Sequence, residues 1–243
     1  MFFTFSWADS EIQEHTLLYD IGLEGGWIPY QRGKSIGTEG VFKQVMRAIQ
    51  NNTNLVFETV QFPAKRAEKA LLDGMVDFDF NVVEWMPSGD YGKEKYQLSD
   101  PLFSVTEYVI TLDQPPYLIN QPEDYYGKPV GTVAGYFYFD SDKFTRVDFL
   151  SESLLMQGLS KERFDAIIME KESAKYWASV FDMKIRMAVV HTEGSIRVRL
   201  RKQKAALLPE LNRGIQTIIQ NGQLEAILQK HNITDALPTS SIE

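Results

Sequence analysis

The sequence predicts an α/β protein of two lobes joined by two passages of the chain. Three observations carry this. Strand-like and helix-like segments alternate from Leu17 to Val83. A second alternating set follows Pro115-Pro116, and the chain leaves the first lobe near Asp113 and returns near Gly194. Alternation at these lengths means βαβ units and a parallel sheet.

Leu17–Gly22 is a short apolar run ending in glycine, suited to a buried strand. After Gly40 the period becomes helical: Val41, Phe42, Val45, Met46 and Ile49 share a face that stops near Asn51-Asn52. Leu55–Val60 is an alternating, β-branched strand. Pro63 suits the first turn of a helix that runs to Leu72 and ends at Gly74. Val76–Val83 is a third strand. Right-handed crossovers put the strand C-terminal ends along one edge, where ligands bind. The loops there carry Trp27 to Tyr30, Phe62 to Arg66, and Glu84-Trp85.

Val105–Leu112 and Pro129–Val133 read as strands, Asp148–Leu150 as a shorter one, and Leu154, Leu155 and Leu159 as a helical stripe. Between them, Gly135 turns the chain and Gly135-Tyr136-Phe137-Tyr138 is expected to open a helix. Asp165–Met169 is an apolar strand and Ser173–Val180 a helix. Ile185–Val190 and Ile196–Leu200 are expected as separate strands with the crossing at Thr192-Glu193-Gly194. A long helix follows, from Leu207 to Lys230, with Leu207, Leu211, Ile215, Ile218, Ile219 and Leu228 inward and Gly222 breaking it in two. From Thr234 the tail is polar.

The 243 residues are 44% hydrophobic and 24% charged, enough for one large or two modest domains. A net charge of −8 argues against nucleic acid or an anionic membrane as the main partner. With no cysteine, disulfides, thiolate metal sites and thiol nucleophiles are excluded. The three histidines, His15, His191 and His231, show no metal-ligand spacing, and no cofactor motif is present. The start, MFFTFSWA, lacks a basic residue, yet Ser6 and Ala8 stand three and one positions before Asp9, as signal-peptidase cleavage requires. Residues 1–8 are expected to be the tail of a signal peptide, with an N-terminal strand as the alternative. The mature chain would begin at Asp9 and be exported.

Four segments, in order, resemble the bacterial extracellular solute-binding proteins of family 3: FKQVMRAI; FPAKRAEKALLDGMVDFD with LSDPL; YYGKPVGTVAGYFY with RFDAIIMEKESAKYW; and RVRLRKQKAALLPELNRGIQTIIQNGQLEAILQKH. The resemblance spans Leu17 to His231. It implies the two-lobed type II periplasmic-binding fold with two hinge crossings. One lobe would be residues 9–113 and 194–243, the other 114–193. It further implies a periplasmic monomer that hands an amino acid or similar small polar solute to an ABC permease.

The family implies an aromatic lid at Trp27 and Tyr30, which suits an ammonium-bearing solute; the alternative for Trp27 is packing on the first helix. It also implies that Glu170 takes the ligand's ammonium group, with a helix N-terminal cap as the alternative. Backbone N–H groups near Gly135 would hold a carboxylate, and Tyr136 and Tyr138 face either cleft or core. Where the family places an arginine for the ligand carboxylate, this chain has Met86, Pro87, Ser88 and Gly89. Arg66 is the expected replacement if it reaches the cleft edge, and a solvated helix residue otherwise; Arg32 is a weaker one. Glu84 and Trp85 are expected to face the cleft, Asp77 to be a structural hydrogen-bonder, and Asp79 stays undecided. Two acids, Glu84 and Glu170, against Arg66 favour a cationic or zwitterionic solute. Two other classes are a ligand-sensing domain of a signalling system and a dehydratase-like enzyme with Glu170 as acid or base.

Overall fold

The computed structural model describes residues 15–33, 37–87, 94–234 and 236. The expected signal-peptide tail, Ser88 and Gly89, and most of the polar tail after Thr234 lie outside the described residues.

The first unit is β1 (His15–Asp20), α1 (Val41–Gln50), β2 (Leu55–Val60), α2 (Ala64–Asp73) and β3 (Phe78–Asn81). β1 pairs in parallel with both β2 and β3. The expected stripe of α1 is buried throughout, against β1 and the later helices. Gly74 caps α2 in the left-handed conformation, φ 77°, that favours glycine. A short β4 (Tyr96–Leu98) follows.

The second unit is β5 (Phe103–Leu112), β6 (Pro129–Val133), β7 (Thr145–Phe149), α3 (Glu152–Ser160), β8 (Ala166–Glu170) and α4 (Lys171–Val180). Here β6 is parallel to β7 and β8. The chain then runs back along β9 (Ile185–Arg201) and ends in α5 (Leu208–Gln220) and α6 (Gln223–Lys230), separated by Gly222 at φ 77°. The described strands form one curled sheet, β2-β1-β3-β9-β5-β8-β6-β7, with β4 also on β9.

Two elements depart from expectation. The segments read as separate strands around Thr192-Glu193-Gly194 are one strand, β9. Its start pairs with β5 through Gly194, opposite Val105, and its end pairs with β3 and β4. A Cβ at Gly194 would run into Val82 and Glu84, so the glycine admits a close packing within the strand. Nor does Gly135-Tyr136-Phe137-Tyr138 open a helix. Arg146 donates to the carbonyls of Val133 and Tyr136 at 3.1 Å each, and Gly135 sits at φ 94°. The Tyr136 carbonyl is taken by that side chain, and the Val133 carbonyl is shared between it and the Tyr136 N–H of a tight turn, so no helix starts here.

The core is divided in the same way as the sheet. One cluster joins β1, β3 and the end of β9 to α1, α5 and α6. Two others pack β5, β6 and β8 against α3, α4 and the Tyr125–Phe144 region. In α3, Leu155, Met156 and Leu159 are buried, whereas Leu154 from the expected stripe is exposed.

Candidate functional site

A cavity of about 630 Å³ lies where the C-terminal ends of the parallel strands of both sheet halves meet. β1 contributes Asp20 and the loop to Trp27, β2 leads into Phe62 and the start of α2, and β3 leads to Trp85. From the other half come Gly135 to Tyr138 after β6, Leu150 to Glu152 after β7, and Glu170 at the end of β8.

The halves touch around it. Ile28 packs into the core of the second half, Trp177 Nε1 donates to the Gly26 carbonyl at 3.1 Å, and Ser153 N–H donates to the Gly25 carbonyl at 2.9 Å. At the other rim Gly135 meets α2 so closely that a Cβ would lie 2.9 Å from the Lys65 Cα.

Glu170 lines the cavity and is 5% exposed. Its Oε2 accepts the N–H groups of Glu172 and Ser173 at 3.0 Å, so it caps α4. Its Oε1 accepts the Tyr30 hydroxyl at 3.0 Å. Burial nevertheless outweighs these donors and pushes its pKa up to about 7. Tyr30 is itself buried in the first-half core, stacked on Phe103, and reaches the site through this hydroxyl and not as a wall. Trp27 is part of the wall while also packing on Phe42 of α1.

Tyr136 lines the cavity and donates to Glu152 Oε1 at 2.7 Å. Glu152 is 2% exposed, at the first turn of α3 after the Ser151 cap, and burial raises its pKa to about 7 against the Tyr136 hydrogen bond. Tyr138 also borders the cavity, but its hydroxyl accepts Val133 N–H at 3.0 Å and Arg146 lies over its ring.

The cationic side chains fall differently from expectation. Arg66 is exposed on α2 and absent from the cavity wall; its neighbours Lys65, Ala67 and Glu68 are there instead. The phase of the helix turns it away. Arg32 lies outside as well, over Tyr176. The guanidinium in the wall is Arg199 of β9, 4% exposed, directly across from Asp79. Its Nε and Nη2 meet the two Asp79 oxygens at 3.0 and 2.6 Å, and Nη2 also meets Glu68 Oε2 at 2.6 Å. Burial would lower its pKa, but Asp79 and Glu68 raise it more, so it is charged and already paired.

Trp85 lines the cavity with Nε1 donating to Thr192 Oγ1 at 2.7 Å. Glu84 is exposed and lines a separate depression with Phe139 and His191. Between the two, Glu107 of β5 reaches the cavity and accepts from Thr192 Oγ1 at 3.1 Å. His191 bridges Glu107 and Asp140 at 2.7 and 2.9 Å.

The wall therefore carries Asp20, Glu24, Glu68, Asp79, Glu107, Glu152 and Glu170 against two cations, Lys65 and Arg199. Glu152, Glu107 and Arg199 escaped the sequence reading. The strand-end rule, applied to the segment before Glu152, would have found the first; the others needed the β5–β9 and β3–β9 registers.

The family model of the bacterial extracellular solute-binding proteins, family 3, matches residues 19–234. The chain belongs to this family. Among solved structures, a putative L-cystine ABC transporter protein from Listeria monocytogenes is similar at TM-score 0.76 and 17% identity, covering 92% of this chain and 98% of that one. The arginine-, lysine-, histidine-binding protein ArtJ from Geobacillus stearothermophilus is similar at TM-score 0.72 and 16% identity, over 93% and 97%. An ancestral amino acid-binding protein described as a precursor of cyclohexadienyl dehydratase is similar at TM-score 0.70 and 18% identity, over 88% and 94%. At such identities the likeness is one of fold, that of the type II periplasmic binding proteins. A search of curated proteins finds no match.

Proposed function

We propose that this chain is an exported, monomeric receptor that captures an amino acid or similar small polar solute carrying a cationic nitrogen, and passes it to an ABC permease. Residues 9–113 and 194–243 form one lobe in this reading and 114–193 the other. β5 and β9, which run between the sheet halves, serve as the hinge. Closure around the solute supplies the affinity, and no turnover is needed.

The observation that carries the reading is Glu170. It is a carboxylate at a strand's C-terminal end, buried in a cavity between two halves and joined to the opposite half through Tyr30. A cation at its remaining lone pair, on Oε1, offsets the desolvation that otherwise favours its neutral form. Trp27, Trp85 and Tyr136 provide the aromatic wall around it. The arginine-, lysine-, histidine-binding protein on the same fold fits this chemistry.

Calorimetric titration of refolded, solute-free protein with amino acids and diamines tests it. Saturable one-to-one binding that weakens about tenfold or more in Glu170→Gln is expected. Binding unchanged in that variant would remove Glu170 from the site.

One observation favours a second reading. Glu152 and Glu170 both have pKa values near 7 in one cavity, which suits general acid–base catalysis, and a similar structure is that of a dehydratase precursor. Proton NMR of the bound solute over time separates the readings: an unchanged spectrum supports the receptor, and a new product the enzyme.

A further inference from the structure

We propose that Oε2 of Glu152 is a second cation-binding point in this cavity, so that the solute carries two cationic nitrogens, as a basic amino acid or a diamine does. The inference rests on the cavity being a solute site.

Glu152 is almost wholly buried, and Tyr136 engages only Oε1. Oε2 has no hydrogen-bond partner among the described residues. Buried carboxylate oxygens are otherwise satisfied, because an unmet acceptor forfeits its hydration without return. The other cavity carboxylates have donors or solvent. Asp20 holds the N–H groups of Gly22 and Phe62, and Asp79 and Glu68 hold Arg199. Glu107 holds His191 and Thr192, Glu170 holds Tyr30 and the start of α4, and Glu24 is exposed.

The unpartnered oxygen is shut off from solvent at the seam between the halves, so a solute reaches it only when they part. A Cβ built on Gly26 would sit 3.7 Å from it, so Oε2 faces the glycine loop of the opposite half, just before Trp27. A nitrogen bound there touches both halves and ties closure to the solute's charge. A cation fits better than a neutral donor, because the acids of the wall outnumber its cations and Arg199 is already neutralised. The raised pKa of Glu152 points the same way, since a bound cation restores its ionised form. Tyr136 and Tyr138 of the facing loop stay protonated, their pKa values raised by burial.

The test is calorimetric titration of refolded, solute-free full chain with L-lysine, cadaverine and L-norleucine, the last lacking the second charge of lysine at similar length. Wild type is expected to bind lysine about tenfold or more tighter than norleucine, and to bind cadaverine. Glu152→Gln is expected to abolish that preference, whereas Glu170→Gln weakens both amino acids and keeps it. A measurement on wild type alone guards against a misfolded variant. The lysine-over-norleucine ratio rises between about pH 5.5 and 8 as Glu152 ionises, while lysine keeps its side-chain charge throughout. Norleucine binding as tightly as lysine, or a flat ratio, overturns the second cation point and leaves the receptor reading standing. Failure of wild type to bind any of these probes or other amino acids overturns both.

Discussion

The hydroxyl of Tyr30 donates to Glu170 Oε1 at 3.0 Å, joining residues 140 positions apart on opposite halves of the sheet. The phenol is held by stacking on Phe103 at 5.8 Å between ring centres, and the carboxylate by its cap on α4. Each partner is thus also held within its own half.

Tyr30→Phe keeps the ring packing and removes that one donor to a buried carboxylate. It is expected to destabilise the solute-free protein by about 1 kcal/mol and to weaken solute binding, because Glu170 loses the link that aligns it. Urea unfolding and titration calorimetry on the same variant check both effects.

Arg199 and Arg66 are expected to behave oppositely. Arg199→Ala strands Asp79 in a largely buried position and should cost about 3 kcal/mol. Arg66→Ala touches an exposed side chain and should stay within about 0.5 kcal/mol, with affinity unchanged. Denaturant unfolding of the two variants side by side measures this; a large loss of affinity in Arg66→Ala would restore it to the site.

Gly194→Ala pushes a methyl group into Val82 and Glu84. The expected loss is about 1–3 kcal/mol, typical of overpacking, seen as a lower thermal midpoint with the far-ultraviolet spectrum preserved.

Stability of the solute-free protein should fall as pH rises. Glu152 and Glu170 have folded pKa values near 7, raised by burial from an ordinary 4.5. The folded state therefore binds their protons more tightly, and their contribution, complete below about pH 4.5, is lost as pH rises through 7. For His191, burial lowers the pKa but the hydrogen bonds to Asp140 and Glu107 prevail and raise it to about 9. Its contribution is full below about pH 6.5 and is lost as pH rises through 9. Each effect is on the order of 1 kcal/mol or more. Urea midpoints against pH check it: Glu152→Gln should flatten the acid part of the curve and His191→Gln the alkaline part.

Local patterns were legible where burial and periodicity agree. The α1 stripe, the β2 strand, the left-handed Gly74 cap and the Gly222 break could all be read from neighbouring residues, because each depends on contacts within a few positions. The site's aromatic wall at Trp27 and Trp85 was legible by the same strand-end rule. Features set by distant pairing were not. Thr192-Glu193-Gly194 has the composition of a turn, yet β5 holds it in a strand. Arg199 was invisible as a wall residue because its partner, Asp79, is set by the β3–β9 register. Tyr136 to Tyr138 resembles a helix start, but Arg146, folding back from β7, takes the Tyr136 carbonyl and shares the Val133 carbonyl with the Tyr136 N–H.

The most direct measurement is a thermal-shift screen of refolded, solute-free protein against neutral, acidic and basic amino acids, polyamines, short peptides and organic acids. A true solute at about a hundred times its dissociation constant stabilises by about 2.7 kcal/mol, a clear rise in the unfolding midpoint. A cationic or zwitterionic solute is expected to give that rise, and Glu170→Ala to lose it. A rise only with organic acids, or with no compound in the panel, would contradict the capture of a cationic solute in this cavity.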